Sequence, residues 1–182
     1  VTGCLKIAKE SIFTGTNNFV SNTITSSRLN EYFGFVQSEV DRILEDADIK
    51  DKNNVMKEWY DGYHFGNVDV YCPWDVMCYV DDLQNDPNAK PDEYWKDTSD
   101  NAIIRSFIDY AGTSITKKME TLMSGGYIAQ RVDENLTYDY LHSSEENLWS
   151  MMYLTGYLTQ AADCEIDEAL PDNTIALKIP NL

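Results

Sequence analysis

Ser114-Ile115-Thr116-Lys117 sets a hydroxyl three residues ahead of an amine, and Ser99-Asp100-Asn101 carries a second polar triplet. Together they match the Ser-x-x-Lys and Ser-Asp-Asn motifs of penicillin-recognising acyl-transfer enzymes, in which an activated serine attacks a carbonyl. Their order along the chain is reversed, no Lys-Thr-Gly accompanies them, and both fall where helix caps are expected. Capping is therefore the better reading. Pro91-Asp92-Glu93 matches the start of a nuclease carboxylate motif, yet no Glu-x-Lys follows at a strand-pair distance. Asp81-Asp82 and Glu145-Glu146 read as solvated helix positions. His64 and His142 stand far apart, and Cys4, Cys72, Cys78 and Cys164 offer no common zinc spacing, so no metal site is expected. The cysteines read as buried free thiols of a reducing compartment. Asn135-Leu136-Thr137 matches a glycosylation acceptor by chance.

Trp59-Tyr60-Asp61-Gly62-Tyr63-His64-Phe65-Gly66, followed by Val70-Tyr71-Cys72-Pro73-Trp74, is the distinctive stretch. A helix ends in an aromatic cluster, turns on Asp-Gly, extends briefly, and re-enters a helix at Pro-Trp. Two readings stand. One is a hydrophobic joint between two helices, with Asp61 accepting turn amides. The other is a lid whose helix N-terminus at Trp74 faces an anion or an adenine ring. No Gly-x-x-x-x-Gly-Lys-[Ser/Thr] and no Gly-x-Gly-x-x-Gly occurs, so a nucleotide site would need residues outside this chain.

These residues need elements to hold them. Val36, Val40, Ile43 and Leu44 predict a helix over 36–47, and a second over about 52–60 buries Val55, Met56 and Trp59. Gly66-Asn67 closes a turn before a strand over 68–72, and Pro73 opens a helix to about Leu83 with Val76, Val80 and Leu83 on one face. Asn85 to Pro91 reads as a surface loop and domain edge. Ser99 or Asp100 caps a helix with Ile103, Ile104, Phe107, Ile108 and Ala111 on one stripe. Gly112 ends it, and Ser114 caps the next, with Ile115, Met119, Leu122 and Met123 inward. A strand over 127–132, a helix capped at Ser143 or Ser144 and running through Leu148, Met152 and Leu158, and two strands (Ala162, Cys164, Ile166, then Ile175, Leu177, Ile179) complete the pattern. The expected fold is mainly α with small β elements, an α+β chain that ends in a winged-helix-like module.

Composition limits partners. The 182 residues carry 31 Asp+Glu against 14 Lys+Arg, a formal charge of −17, with 43% apolar and 12% aromatic residues. Such a chain can bury a core. Its field repels phosphate, so direct binding to nucleic acid or an anionic membrane is not expected. Residues 101–142 hold Arg105, Lys117, Lys118 and Arg131 against five acids, little basic surface for a DNA-binding wing. Eighteen acids fall between Glu31 and Asp100, whereas residues 1–30 balance at +2. No apolar run approaches a membrane span, no signal peptide opens the chain and no initiator Met is present. The expectation is a soluble, cytoplasmic chain cut from something longer.

Thr2-Gly3, Lys6 to Phe13, Asn17-Asn18, Tyr32-Phe33-Gly34-Phe35, Trp59 to Gly66, Val70 to Trp74, Tyr94-Trp95, Thr98-Ser99 and Asn101 form an ordered set. With Glu134 to Tyr138 and Leu148 to Thr159 downstream, the sequence resembles the predicted AAA-ATPase-like family of bacteria. That resemblance implies a parent P-loop ATPase binding ATP and Mg²⁺, often followed by a nuclease-like domain, of which this chain would supply 1–30 as the end of the ATPase core, 31–90 as the helical lid and 91–182 as the winged-helix-like domain. The chain itself would hold no cofactor and no catalytic residue. Its partners would be the rest of the ATPase core, that nuclease-like domain and a protein ligand. Thr2 would occupy the sensor position, Lys6 stands where the family commonly shows Arg, and both would lie near the γ-phosphate. Pro73, with Trp74 beside it, would correspond to the lid proline that packs on adenine. Trp59, Asp61, Gly62, Tyr63 and Gly66 would form the lid joint. The alternative is an acidic protein-interaction module with no nucleotide role.

Overall fold

The computed structural model describes residues 22–94, 112–136 and 144–180. Thr2, Lys6, the Ser-Asp-Asn triplet and the helix expected from Ser99 to about Ala111 lie outside the described residues. The chain divides into two compact units. Among the described residues, 25–94 with 180 form one, and 22–24, 112–136 and 144–179 form the other.

In the first unit, helix α1 (Gln37–Asp46) buries Val40 and Leu44, two positions of the expected stripe one turn apart. The Glu39 carboxylate accepts the Val36 N–H at 3.1 Å and so caps the helix start. Helix α2 (Asn53–Tyr60) follows, and it buries Met56 and Tyr60, while Val55 and Trp59 are only half-buried. Strands β1 (Tyr63–Phe65) and β2 (Val68–Val70) make a hairpin pairing Tyr63 with Val70 and Phe65 with Val68. The β1 strand was not legible in the sequence. Its turn is Gly66-Asn67, with positive φ at Gly66 alone (61°), the type II′ pattern. Phe35 bridges Tyr71 antiparallel, and an added Cβ on Gly34 would sit 2.8 Å from the Tyr71 carbonyl oxygen, so this close approach needs glycine. Helix α3 (Pro73–Asn85) has Pro73 at its first turn and buries Val76, Tyr79, Val80 and Leu83 at helical spacing. These residues pack with Val40, Leu44, Met56, Tyr60 and Tyr71 in one core. The segment after the loop stays with this unit: the Tyr60 hydroxyl bonds both the Asp92 carbonyl and its N–H at 3.1 Å.

In the second unit come helix α4 (Thr113–Met123), strand β3 (Ile128–Gln130), helix α5 (Glu145–Leu154) and strands β4 (Thr159–Gln160) and β5 (Ile175–Lys178). The sheet order is β3-β5-β4, all antiparallel. Ser144 caps α5 by accepting the Asn147 N–H at 3.2 Å. Leu148 to Tyr153 are all buried, as befits a helix apolar on every side. Several expectations need correction. Gly112 and not Ser114 is the N-cap of α4, so Ser114 lies inside its first turn. Cys164 is exposed rather than a buried thiol, and Cys72 and Cys78 are half-buried. The strand expected through Ala162, Cys164 and Ile166 is a short 3-10 turn over Asp163–Glu165, because Glu165 folds back to accept the Ala162 N–H at 2.8 Å. The strand lies earlier, where Leu158 and Thr159 are buried. Met123 is 72% exposed, since it sits about 100° round the helix from buried Leu122. And α5 ends at Leu154, the Tyr157 and Leu158 N–H groups closing onto the Met152 carbonyl at 2.8 and 3.0 Å. The class is mixed α+β, mainly helical with small antiparallel strands.

Candidate functional site

The joint residues are brought together in the first unit. Trp59 packs half-buried against the core, and Asp61 follows the last turn of α2, its N–H bonding the Lys57 carbonyl at 3.3 Å. Burial pushes the Asp61 carboxyl up, nearby Asp69 adds to this, and Lys57 opposes both. Gly62 leads into β1, while the turn conformation belongs to Gly66. The Tyr63 hydroxyl is pushed well up by burial, then by Cys72 and Asp75, so it stays a neutral phenol. Its ring stands 5.9 Å from that of Phe65. On the hairpin, His64 Nδ1 lies 2.7 Å from Asp69 Oδ1.

Asp75 is the least expected member of the site. It sits in the first turn of α3, where the helix dipole favours an anion, yet it is only 7% exposed and its Oδ1 has no hydrogen-bond partner among the described residues. Burial raises its carboxyl, and a hydrogen bond with Cys72 pulls the other way. Burial likewise pushes the Cys72 thiol up to about 11, so this cysteine is a poor nucleophile. No sequence pattern marks Asp75 as buried. Its position three residues past Cys72 is equally that of an exposed capping residue.

Pro73 and Trp74 stand at the head of an open groove of about 380 Å³ lined by Trp74, Met77, Cys78, Asp81, Asp82 and Tyr94. Trp74 is 52% and Met77 48% exposed. The Trp74 Nε1–H donates to the Tyr94 carbonyl at 3.3 Å, and the Tyr94 hydroxyl donates to Asp82 Oδ2 at 2.5 Å, which ties the walls together. The Tyr94 ring also stands 6.1 Å from that of Tyr60. None of the six lining residues is cationic, so they do not by themselves fit a triphosphate, which needs Lys, Arg or a run of free amides. Asp81 and Asp82 are exposed helix positions, as expected, and they line this groove.

Outside this region the acyl-transfer motif dissolves. The Ser114 hydroxyl donates to Glu145 Oε1 at 3.3 Å, and it is Lys118, not Lys117, that pairs with the same oxygen at 2.6 Å. Trp149 Nε1–H adds a third bond to it at 3.2 Å, and the Lys118 ammonium stands 5.8 Å from the Trp149 ring centroid. Glu145 is thus a structural tie between α4 and α5. Its carboxyl is held below the usual range, chiefly by the Lys118 hydrogen bond. Among the described residues no three His, Cys, Asp or Glu side chains gather to hold a metal, and no helix is long and apolar enough to cross a membrane.

An uncharacterized protein in the vnfD 5′ region of Azotobacter chroococcum mcd 1 is similar, 26% identical over 98 residues. The match takes in 54% of this chain and 18% of that protein, so the chain spans under a fifth of this curated relative's length. No family model matches the chain. No solved structure matches it either.

Proposed function

We propose that the chain is the lid and winged-helix-like region of a larger AAA-type ATPase, regulatory rather than catalytic, with ATP and Mg²⁺ held by a P-loop core outside it. The observation that carries this reading is the element order. A helical unit with an aromatic hairpin joint precedes a unit in which α5 separates β3 from β4 and the final strand β5 lies between those two. A helix followed by such a closing pair is the arrangement of a winged helix. Pro73 at the first turn of α3, with Trp74 exposed beside it, fits a surface that meets adenine, while Thr2 and Lys6 would serve the γ-phosphate side. The cytoplasm would be its compartment, and the ATPase core and a nuclease-like domain its neighbours. The test is a thermal shift of the longer parental protein with ATP and Mg²⁺. A shift that disappears on substituting Lys6 and Pro73 is expected. ATP turnover by this chain alone, or no nucleotide response in the parent, overturns the reading. A second reading, the acidic interaction module, is favoured by Asp81 and Asp82 in the groove beside Trp74, because paired carboxylates oppose a polyphosphate.

A further inference from the structure

Helix α3 is apolar on two faces. Val76, Tyr79, Val80 and Leu83 fill the core, and a second stripe at i, i+3, i+4 and i+7 (Trp74, Met77, Cys78, Asp81) lies along the groove. The apolar end of that stripe is only partly covered by the described residues: Trp74 and Met77 are about half exposed. Its other end is acidic, with Asp81 and Asp82 one turn on from Met77 and Cys78. The helix carries three aspartates and no lysine or arginine, and residues 25–94 hold sixteen Asp+Glu against six Lys+Arg. The walls are set beforehand by the Trp74–Tyr94 and Tyr94–Asp82 hydrogen bonds, so a ligand need not order them.

We infer that this groove docks a basic amphipathic helix of a protein partner. The partner's apolar residues would cover Trp74 and Met77, and a Lys or Arg one to two turns further on would meet Asp81 and Asp82. Charge complementarity selects this occupant, since a second copy of the same acidic face would be repelled. The apolar anchor supplies the affinity and the carboxylates set direction, the helix-in-groove mode. The inference gives a partner chemistry to the interaction reading and rests on it. It needs no nucleotide.

The experiment titrates the full 182-residue chain into a fluorescein-labelled helical peptide of about 18 residues, with leucines at i, i+3 and i+4 and lysines at i+7 and i+8. Anisotropy is read at low and high salt. Expected are saturable binding, loss on replacing the two lysines by glutamate, and about tenfold weaker binding with Met77→Gln or with Asp81→Asn. The Asp81→Asn variant should also show a shallower salt dependence. Both positions are at the surface, so folding is retained, and circular dichroism checks it. Equal binding to both variants and the parent chain means diffuse attraction to an acidic protein, which overturns the groove while leaving the interaction reading standing. Absence of peptide binding overturns the groove. If affinity capture of the parental protein also finds no protein ligand, the interaction reading falls separately.

Discussion

The Asn30 Nδ2 donates to Asn67 Oδ1 at 2.8 Å and to the Phe65 carbonyl at 2.8 Å, so a buried amide from a single 3-10 turn clasps the tip of the β1–β2 hairpin. Leu29 before it adopts φ 64°, and Tyr32 and Phe33 after it are turned to the surface. Asn30→Ala leaves two acceptors without their donor and should cost about 1–3 kcal/mol. Asn30→Asp should cost more, by setting a carboxylate against two oxygens. Urea midpoints measure both. An alanine variant as stable as the parent removes the clasp from the account.

Gly66→Ala should destabilise by about 1–3 kcal/mol. The residue is at φ 61°, and its new Cβ would lie 2.7 Å from the Ser26 carbonyl oxygen, which is backbone and cannot yield cheaply. Gly112→Ala is the matched control, since nothing lies within 4 Å of its Cβ. Calorimetry should show a larger fall in Tm for the first than for the second, which gives up only an N-cap glycine.

Glu145→Gln tests the α4–α5 tie. The native carboxyl binds its proton less tightly than in the unfolded chain, so it stabilises above the ordinary carboxylate range and that contribution disappears as pH falls through the lowered folded value. The pair is about one-third exposed, so the neutral-pH loss is put at about 0.5–1 kcal/mol. The acid limb of the stability curve should flatten in the variant. An unchanged limb would assign acid sensitivity to other groups.

Asp75→Asn has the opposite signature. The native carboxyl is raised, so the folded state holds its proton more tightly than the unfolded one, and stability falls as pH climbs past the ordinary carboxylate value. The asparagine variant should lose less stability between acidic and neutral pH than the parent. A slope equal to the parent's would falsify the assignment of that loss to Asp75.

What periodicity could reveal, it revealed. The stripes at Val40 and Leu44 and at Val76, Val80 and Leu83 are five of the nine buried residues of the first unit's core, because burial on one helix face writes itself into spacing. The Pro73 start and the Ser144 cap were equally legible from local chemistry. The misses share a cause. Cys164 and Ile166 alternate correctly for a strand, but the Glu165 carboxylate satisfies the backbone locally, and alternation says nothing about such competition. Strand β1 is three half-buried residues whose pairing rests on a turn and a distant partner. In the groove, Trp74 was singled out, but Tyr94 reaches Asp82 from twelve residues away, a closeness made by the fold and not by any motif. Asn30 carries no signal at all, being one asparagine among many.

Strand β5, the last of the chain's described strands, is the centre of its sheet, with β3 on one side and β4 on the other. During synthesis the two outer strands therefore emerge with nothing to pair with, and Ile128, Leu158 and Trp149 wait without Leu177, which completes their cluster. Closure therefore waits for Ile175–Lys178, and this long-range pairing is slow. A chain that stops short of residue 175 would present an open half-domain with two unpaired strands, and adding those four residues would give both of them their partner.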